Sequence, residues 1–185
     1  IDFFYTPFFY FKQDKRCMNL EALKERYNYA HQTYLKYKDI NYTNSVEEQE
    51  SDFTTNQLKS IFKDSIIIKN NDNFLNYLGI DYIVVYNNKI ITIDSKICNA
   101  YKDNEIMIDA YRKDENGEWE IATNQKINDL YFFKNQNRVF IIPTKQIIIP
   151  QRKDCFFLTR DLYHTTMKAV IDVSSISNKI IRRIK

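Results

Sequence analysis

The 185 residues are 44% hydrophobic, 15% aromatic and 28% charged, too apolar for a disordered tail, and no heptad pattern is sustained as a coiled coil requires. With two Gly, three Pro, 14 Tyr and 13 Phe, the composition has the skew of an AT-rich coding sequence. The net charge of +3 does not by itself announce a polyanionic partner, but residues 1–100 carry 12 basic and 13 acidic side chains against 15 and 11 in 101–185.

The chain opens with the aromatic run Phe3–Phe11, interrupted by Pro7. This run falls short of the roughly 18 apolar residues of a membrane helix and lacks the basic flank of a signal peptide. Packing in a core or on an edge strand is its expected role, and stacking on single-stranded bases the alternative. Three widely spaced cysteines (Cys17, Cys98, Cys155) and two histidines (His31, His164) write neither a disulfide framework nor a zinc site. The expectation is a protein of a reducing, cytoplasmic compartment.

From Asn19 to about Lys38, apolar residues at Leu20, Leu23, Tyr27, Ala30, Tyr34 and Tyr37 recur at intervals of three and four, which predicts an amphipathic helix capped by Asn19. His31 is a packing or surface residue of that helix. The acidic stretch 41–52 is a connection or the exposed start of a second helix, which Thr54 or Thr55 would cap and which would run through Leu58, Ile61 and Phe62. Beyond Gly79, runs rich in Ile, Val, Tyr and Phe bounded by Asn, Asp and Gly predict strands at about 80–86, 89–97, 104–112, 118–123, 129–134 and 138–142. Helices followed by a mixed, antiparallel-rich sheet make an α+β fold. Segment 161–173 is ambiguous. From Arg152 onward eight basic residues face three acidic ones, ending in Lys179, Arg182, Arg183 and Lys185: either a solvated tail or a phosphate-contacting segment.

The informative stretch is Gly79-Ile-Asp81-Tyr-Ile-Val-Val-Tyr-Asn87-Asn88-Lys-Ile-Ile-Thr-Ile-Asp94-Ser95-Lys96. Two β-rich runs separated by Asn87-Asn88 predict a type I′ hairpin, because Asn tolerates the positive φ this turn demands. With Tyr86 facing Lys89, Asp81 falls opposite Asp94 and Lys96 opposite Gly79. Alternation then puts Asp81, Ile83 and Val85 on one face with Ile90, Thr92, Asp94 and Lys96. Two carboxylates opposed across a ladder repel; a divalent cation with hard oxygen ligands would reconcile them, and a Lys96 salt bridge to one acid is the plainer reading.

Gly-Ile-Asp81, then Ile-Asp94-Ser-Lys96, resembles the active-site pattern of the PD-(D/E)XK nuclease superfamily. Ile80 replaces the classical proline, and the second acid is Asp where Glu is commoner. The downstream runs Glu105–Arg112, Gly117 to Trp119, Lys126-Ile-Asn-Asp129-Leu-Tyr-Phe-Phe and Val139–Pro143 are similar to those of uncharacterised members carried by phages and mobile elements, so the resemblance spans about 79–143. It implies a restriction-endonuclease-like sheet and one nuclease-like domain over 1–185: helical to about 78, catalytic at 79–143, with a basic extension over 144–185. It also implies an enzyme hydrolysing DNA phosphodiester bonds with Mg²⁺ or Mn²⁺, in a bacterial or phage-infected cell. Asp81, Asp94 and the Ser95 carbonyl would be the metal ligands, and Lys96 would position the attacking water. Many members add a helix-borne glutamate, for which Glu21, Glu25, Glu47, Glu48 and Glu50 are candidates. Gln125 or Lys126 would contact phosphate or, on the plainer reading, lie in an exposed turn. The competing functions are a catalytically inactive nuclease-fold module for DNA binding or assembly, and a structural or host-interaction protein whose acid pair is incidental.

Overall fold

The computed structural model describes residues 20–37, 44–97, 102–157 and 165–184. The aromatic opening, the Asn19 cap, Cys17, Cys98 and His164 lie outside them. The first amphipathic pattern becomes helix α1, Leu20–Tyr37. Tyr27 packs edge-on against Phe74 and Tyr77, with ring centroids 5.4 and 5.8 Å away, and His31 stacks on Tyr27. His31 is therefore an aromatic neighbour.

Helix α2 runs from Asn44 to Ile61 and absorbs the acidic stretch. Thr54, expected as a cap, lies inside this helix and is buried, its hydroxyl donating to the Glu50 carbonyl one turn back at 3.0 Å. That back-bond satisfies the hydroxyl without ending the helix. Then follow β1 (Ile66–Lys69), the short α3 (Asn73–Tyr77), β2 (Tyr82–Tyr86), β3 (Lys89–Ile97), β4 (Glu105–Lys113), β5 (Trp119–Ile121), β6 (Leu130–Lys134), β7 (Arg138–Pro143), β8 (Thr166–Asp172) and β9 (Ile180–Arg183). Strand β1 falls in the part read as helical. Strands β8 and β9 fall in the part read as an extension, so the basic C-terminal run is woven into the sheets.

Six strands form one sheet in the order β1-β2-β3-β6-β7-β9, antiparallel except where β3 runs parallel to β6. Three form a second, antiparallel sheet, β5-β4-β8. The fold is mixed α and β with sheet predominating.

Strands β6 and β7 are apolar at successive positions because both faces of the large sheet are covered there. Leu130, Phe132, Val139 and Ile141 join Leu58 and Phe62 in one core cluster, against α2; Tyr131, Phe133, Phe140 and Ile142 join Ile106, Ile108 and Ala169 in the other, against the small sheet. Burial of each such side chain stabilises the fold by about 1.5–3 kcal/mol. The second cluster brings β4 and β8 over the face that carries Asp94.

Candidate active site and its charge network

The β2–β3 hairpin turns at Asn87-Asn88, with φ of 49° and 59°, and its pairs run in the predicted register from Tyr86–Lys89 to Tyr82–Ile93. Just before β2 the chain bends. Asp81 N donates to the Ile93 carbonyl at 2.9 Å, and its side chain folds onto the next stretch of β3, where Oδ2 accepts from Ser95 N at 2.7 Å. Asn70 holds the bend from outside, its backbone N–H donating to the Asp81 carbonyl at 2.8 Å and its Nδ2 to the Ile80 carbonyl at 2.6 Å. Short-range hydrogen bonds therefore set where Asp81 points.

Asp94 is fully buried, opposite Tyr131 in the parallel β3–β6 ladder. Lys96 Nζ lies 2.8 Å from its Oδ1 and Lys126 Nζ 3.6 Å from its Oδ2. Gly79 is the close neighbour the hairpin arithmetic anticipated, but of different groups: a Cβ there would meet Asn128 Oδ1 at 2.8 Å, Lys126 Cδ at 2.9 Å and Asp94 Oδ2 at 3.2 Å. Its φ of +85° is also one that L side chains rarely adopt.

Burial and the facing Asp94 push the Asp81 carboxyl up to about 6. For Asp94, burial works in the same direction, but Lys96 and then Lys126 outweigh it and hold the carboxyl below the usual range. Lys96 stays firmly protonated because Asp94, Asp81 and Asp109 together overcome its burial. Burial, then the charge of Lys96, push Lys126 down to about 8. One acid of the pair is thus firmly ionised and the other is poised to accept a proton or a cation.

The sequence reading missed two members of this network. Asp109 on β4 pairs with Lys168 directly opposite on β8, and with Lys96 also in reach its carboxyl is held low despite burial. The pairing register shifts immediately after Asp109, as a β-bulge produces. The partners are 59 residues apart in sequence, so no local spacing signals them. Gln125 and Lys126 belong to the buried floor and not to an exposed turn: Gln125 is buried at the end of a short 3-10 turn and donates to Glu120, and Lys126 Nζ donates to the Tyr77 carbonyl at 2.9 Å. Asp129 receives Thr92 N and Oγ1, each at 2.9 Å, and pins the start of β6 to β3.

Of the candidate glutamates, Glu21 and Glu25 are exposed on α1, and the side chains of Glu47 and Glu48 lie outside the described ones. Glu50 lines a pocket of about 400 Å³ together with Asp81, Ser95, Thr54 and Lys69. A larger groove of about 810 Å³, floored by Phe62, Ile91 and Ile141, holds none of Asp81, Asp94 and Asp109.

Both Asp94 carboxylate oxygens are buried and accept no well-directed hydrogen bond, being held only by charge contacts. Among the described residues no three His, Cys, Asp or Glu side chains gather as a metal cluster. What the structure brings together is the pair of carboxylates, Asp81 and Asp94, hard oxygen donors of the kind a divalent cation takes. Among the described residues no helix is long and apolar enough to cross a membrane. Compared with protein-family models, curated proteins and solved structures, the chain matches none.

Proposed function

We propose that the chain is a Mg²⁺- or Mn²⁺-dependent nuclease of PD-(D/E)XK type that hydrolyses DNA phosphodiester bonds, with a restriction-endonuclease-like sheet carrying its site in one nuclease-like domain. The observation that carries this reading is the convergence of Asp81, Asp94 and Lys96 at the open end of a hairpin, with Asp81 folded onto the backbone of Ser95.

Asp81, Asp94 and the Ser95 carbonyl would hold the cation, and of the candidate glutamates Glu50, which lines a pocket with Asp81, would be the helix-borne acid. The bound ion would supply Lewis-acid activation of the scissile phosphate and a water of lowered pKa. Lys96, protonated and fixed by Asp94, orients the attacking water and offsets the charge that develops on phosphorus. Ser95 N orients the carboxylate of Asp81. Asp94 stays ionised despite its burial because Lys96 and Lys126 stand beside it.

The test is incubation of plasmid and branched DNA with the purified protein in Mg²⁺, Mn²⁺ or EDTA. Cleavage that requires the metal and disappears in Asp94→Asn is the expected result; no degradation in either metal overturns the reading. A second reading, a nuclease-fold DNA-binding or assembly module that does not cut, is favoured by the 2.8 Å Lys96–Asp94 contact, which neutralises the acid without a metal. It predicts DNA binding unaffected by EDTA and no cleavage.

A further inference from the structure

We propose that Arg112 and Lys126 form a phosphate seat beside the acid pair, which holds a backbone phosphate of the nucleic-acid strand next to the one being cut; this rests on the nuclease reading. Both side chains gather at Tyr77. The Arg112 guanidinium lies over the Tyr77 ring, 5.6 Å from its centroid, while Lys126 Nζ is bonded to the Tyr77 carbonyl and lies 3.6 Å from Asp94 Oδ2.

Apart from the Tyr77 side chain, Arg112 is short of acceptors. Its Nε is buried without a hydrogen-bond partner, and among the described residues no carboxylate lies within ion-pair distance of it. The carboxylate across the ladder, Glu120, is already committed: Oε1 accepts from Gln125, and Oε2 takes Arg26 at 3.0 Å. A buried guanidinium N–H without an acceptor carries the full desolvation cost of a charged donor. A phosphate supplies several acceptor oxygens to a guanidinium fork and a second charge contact to an ammonium.

The balance of charge points the same way. Asp109 is neutralised by Lys168, leaving Asp81 and Asp94 to face Lys96, Lys126 and Arg112. An arriving oxyanion relieves that excess.

Two measurements test the seat. In the first, thermal unfolding in EDTA is compared in inorganic phosphate and in chloride of matched ionic strength. In the second, metal-free binding of a short labelled oligodeoxynucleotide is followed as salt is raised. The wild type should unfold at a higher temperature in phosphate. Arg112→Gln should lose that rise, bind the strand about tenfold more weakly and show a log–log salt slope shallower by about one. Arg112→Lys, which keeps the charge and the stem over Tyr77, should recover the slope but respond to phosphate more weakly than the wild type.

No phosphate-specific rise in the wild type overturns the seat, as does wild-type behaviour in Arg112→Gln. If the Gln variant does not fold, a phosphate response in Arg112→Lys equal to the wild type's overturns it equally. Metal-dependent cleavage without a phosphate response removes the seat and leaves the nuclease reading intact. A phosphate response lost in Arg112→Gln, with no cleavage under any metal, removes the nuclease reading and leaves an anion-binding site.

Discussion

Asp81 and Asp94 are the same residue type in facing positions, yet their surroundings separate them. Asp94 has two lysines and Asp81 a single backbone N–H. Removing charge at the two positions should therefore have opposite effects. Asp81→Asn keeps an oxygen for Ser95 N and relieves repulsion. In EDTA at pH 8 it should raise stability by about 1–2 kcal/mol in urea unfolding. Because the folded-state pKa of Asp81 is raised to about 6, that gain should shrink as pH falls through 6 and vanish below about 4, where both states are protonated. On the nuclease reading Asp94→Asn should abolish metal-dependent cleavage, and it should also destabilise the fold, since it leaves the partly buried Lys96 and Lys126 ammonium groups without their counter-charge. On the same reading Lys96→Ala should lose cleavage while retaining metal binding in titration calorimetry, because the lysine would orient water and not ligate. Reading the hairpin register placed the acids, but their inequality, set first by Lys96, also draws on Lys126, which arrives from a turn after β5 and has no local relation to either acid.

The hairpin was legible because each local preference agrees with the fold: a two-residue Asn turn, β-branched flanks and strict alternation. Asn88→Gly should leave stability within about 0.5 kcal/mol or raise it, whereas Asn88→Val should cost about 1–2 kcal/mol, the left-handed penalty for a branched side chain. Strands β1, β8 and β9 were not legible. Ile66–Lys69 is four residues long with its Ile66 and Ile68 side chains exposed and only Ile67 packed against the core, too little to produce a pattern. The basic Lys179–Lys185 run reads as a tail because its charges dominate its alternation, yet Ile180–Arg183 pairs with β7, and Arg182 donates to Ser60 Oγ at 2.6 Å. Truncation after Ser177 should therefore lower stability by about 2 kcal/mol or more in urea unfolding, through lost burial and an uncovered strand edge. A stability unchanged by that truncation would contradict the pairing of β9.

At the scale of the whole chain, the charges of Asp81, Asp94, Lys96, Asp109 and Lys168 run from the large sheet to the small one. These pairs are partly buried and so incompletely screened, and added salt should lower stability only modestly at neutral pH. Acid should change it strongly. Asp94 and Asp109 have folded-state pKa values below the usual carboxylate value. Their stabilisation is complete above about pH 4 and is lost as pH falls through the lower folded values. Asp109→Asn should flatten the acid limb of the unfolding curve and start from a lower plateau; an unchanged limb would show that the pair contributes nothing. The parallel contact of β3 with β6, and the pairing of β4 with a strand that ends at Asp172, also order events in time. While a ribosome still encloses the C-terminal strands, the acids and Lys96 have already emerged, but β4 lacks its partner and β7 its edge neighbour. Long-range pairing of this kind is slow and completes only with the full chain. Nascent or prematurely terminated chains should thus carry the acidic motif without the charge network that Lys168 completes, so whatever chemistry the acids support waits for the C-terminal strands.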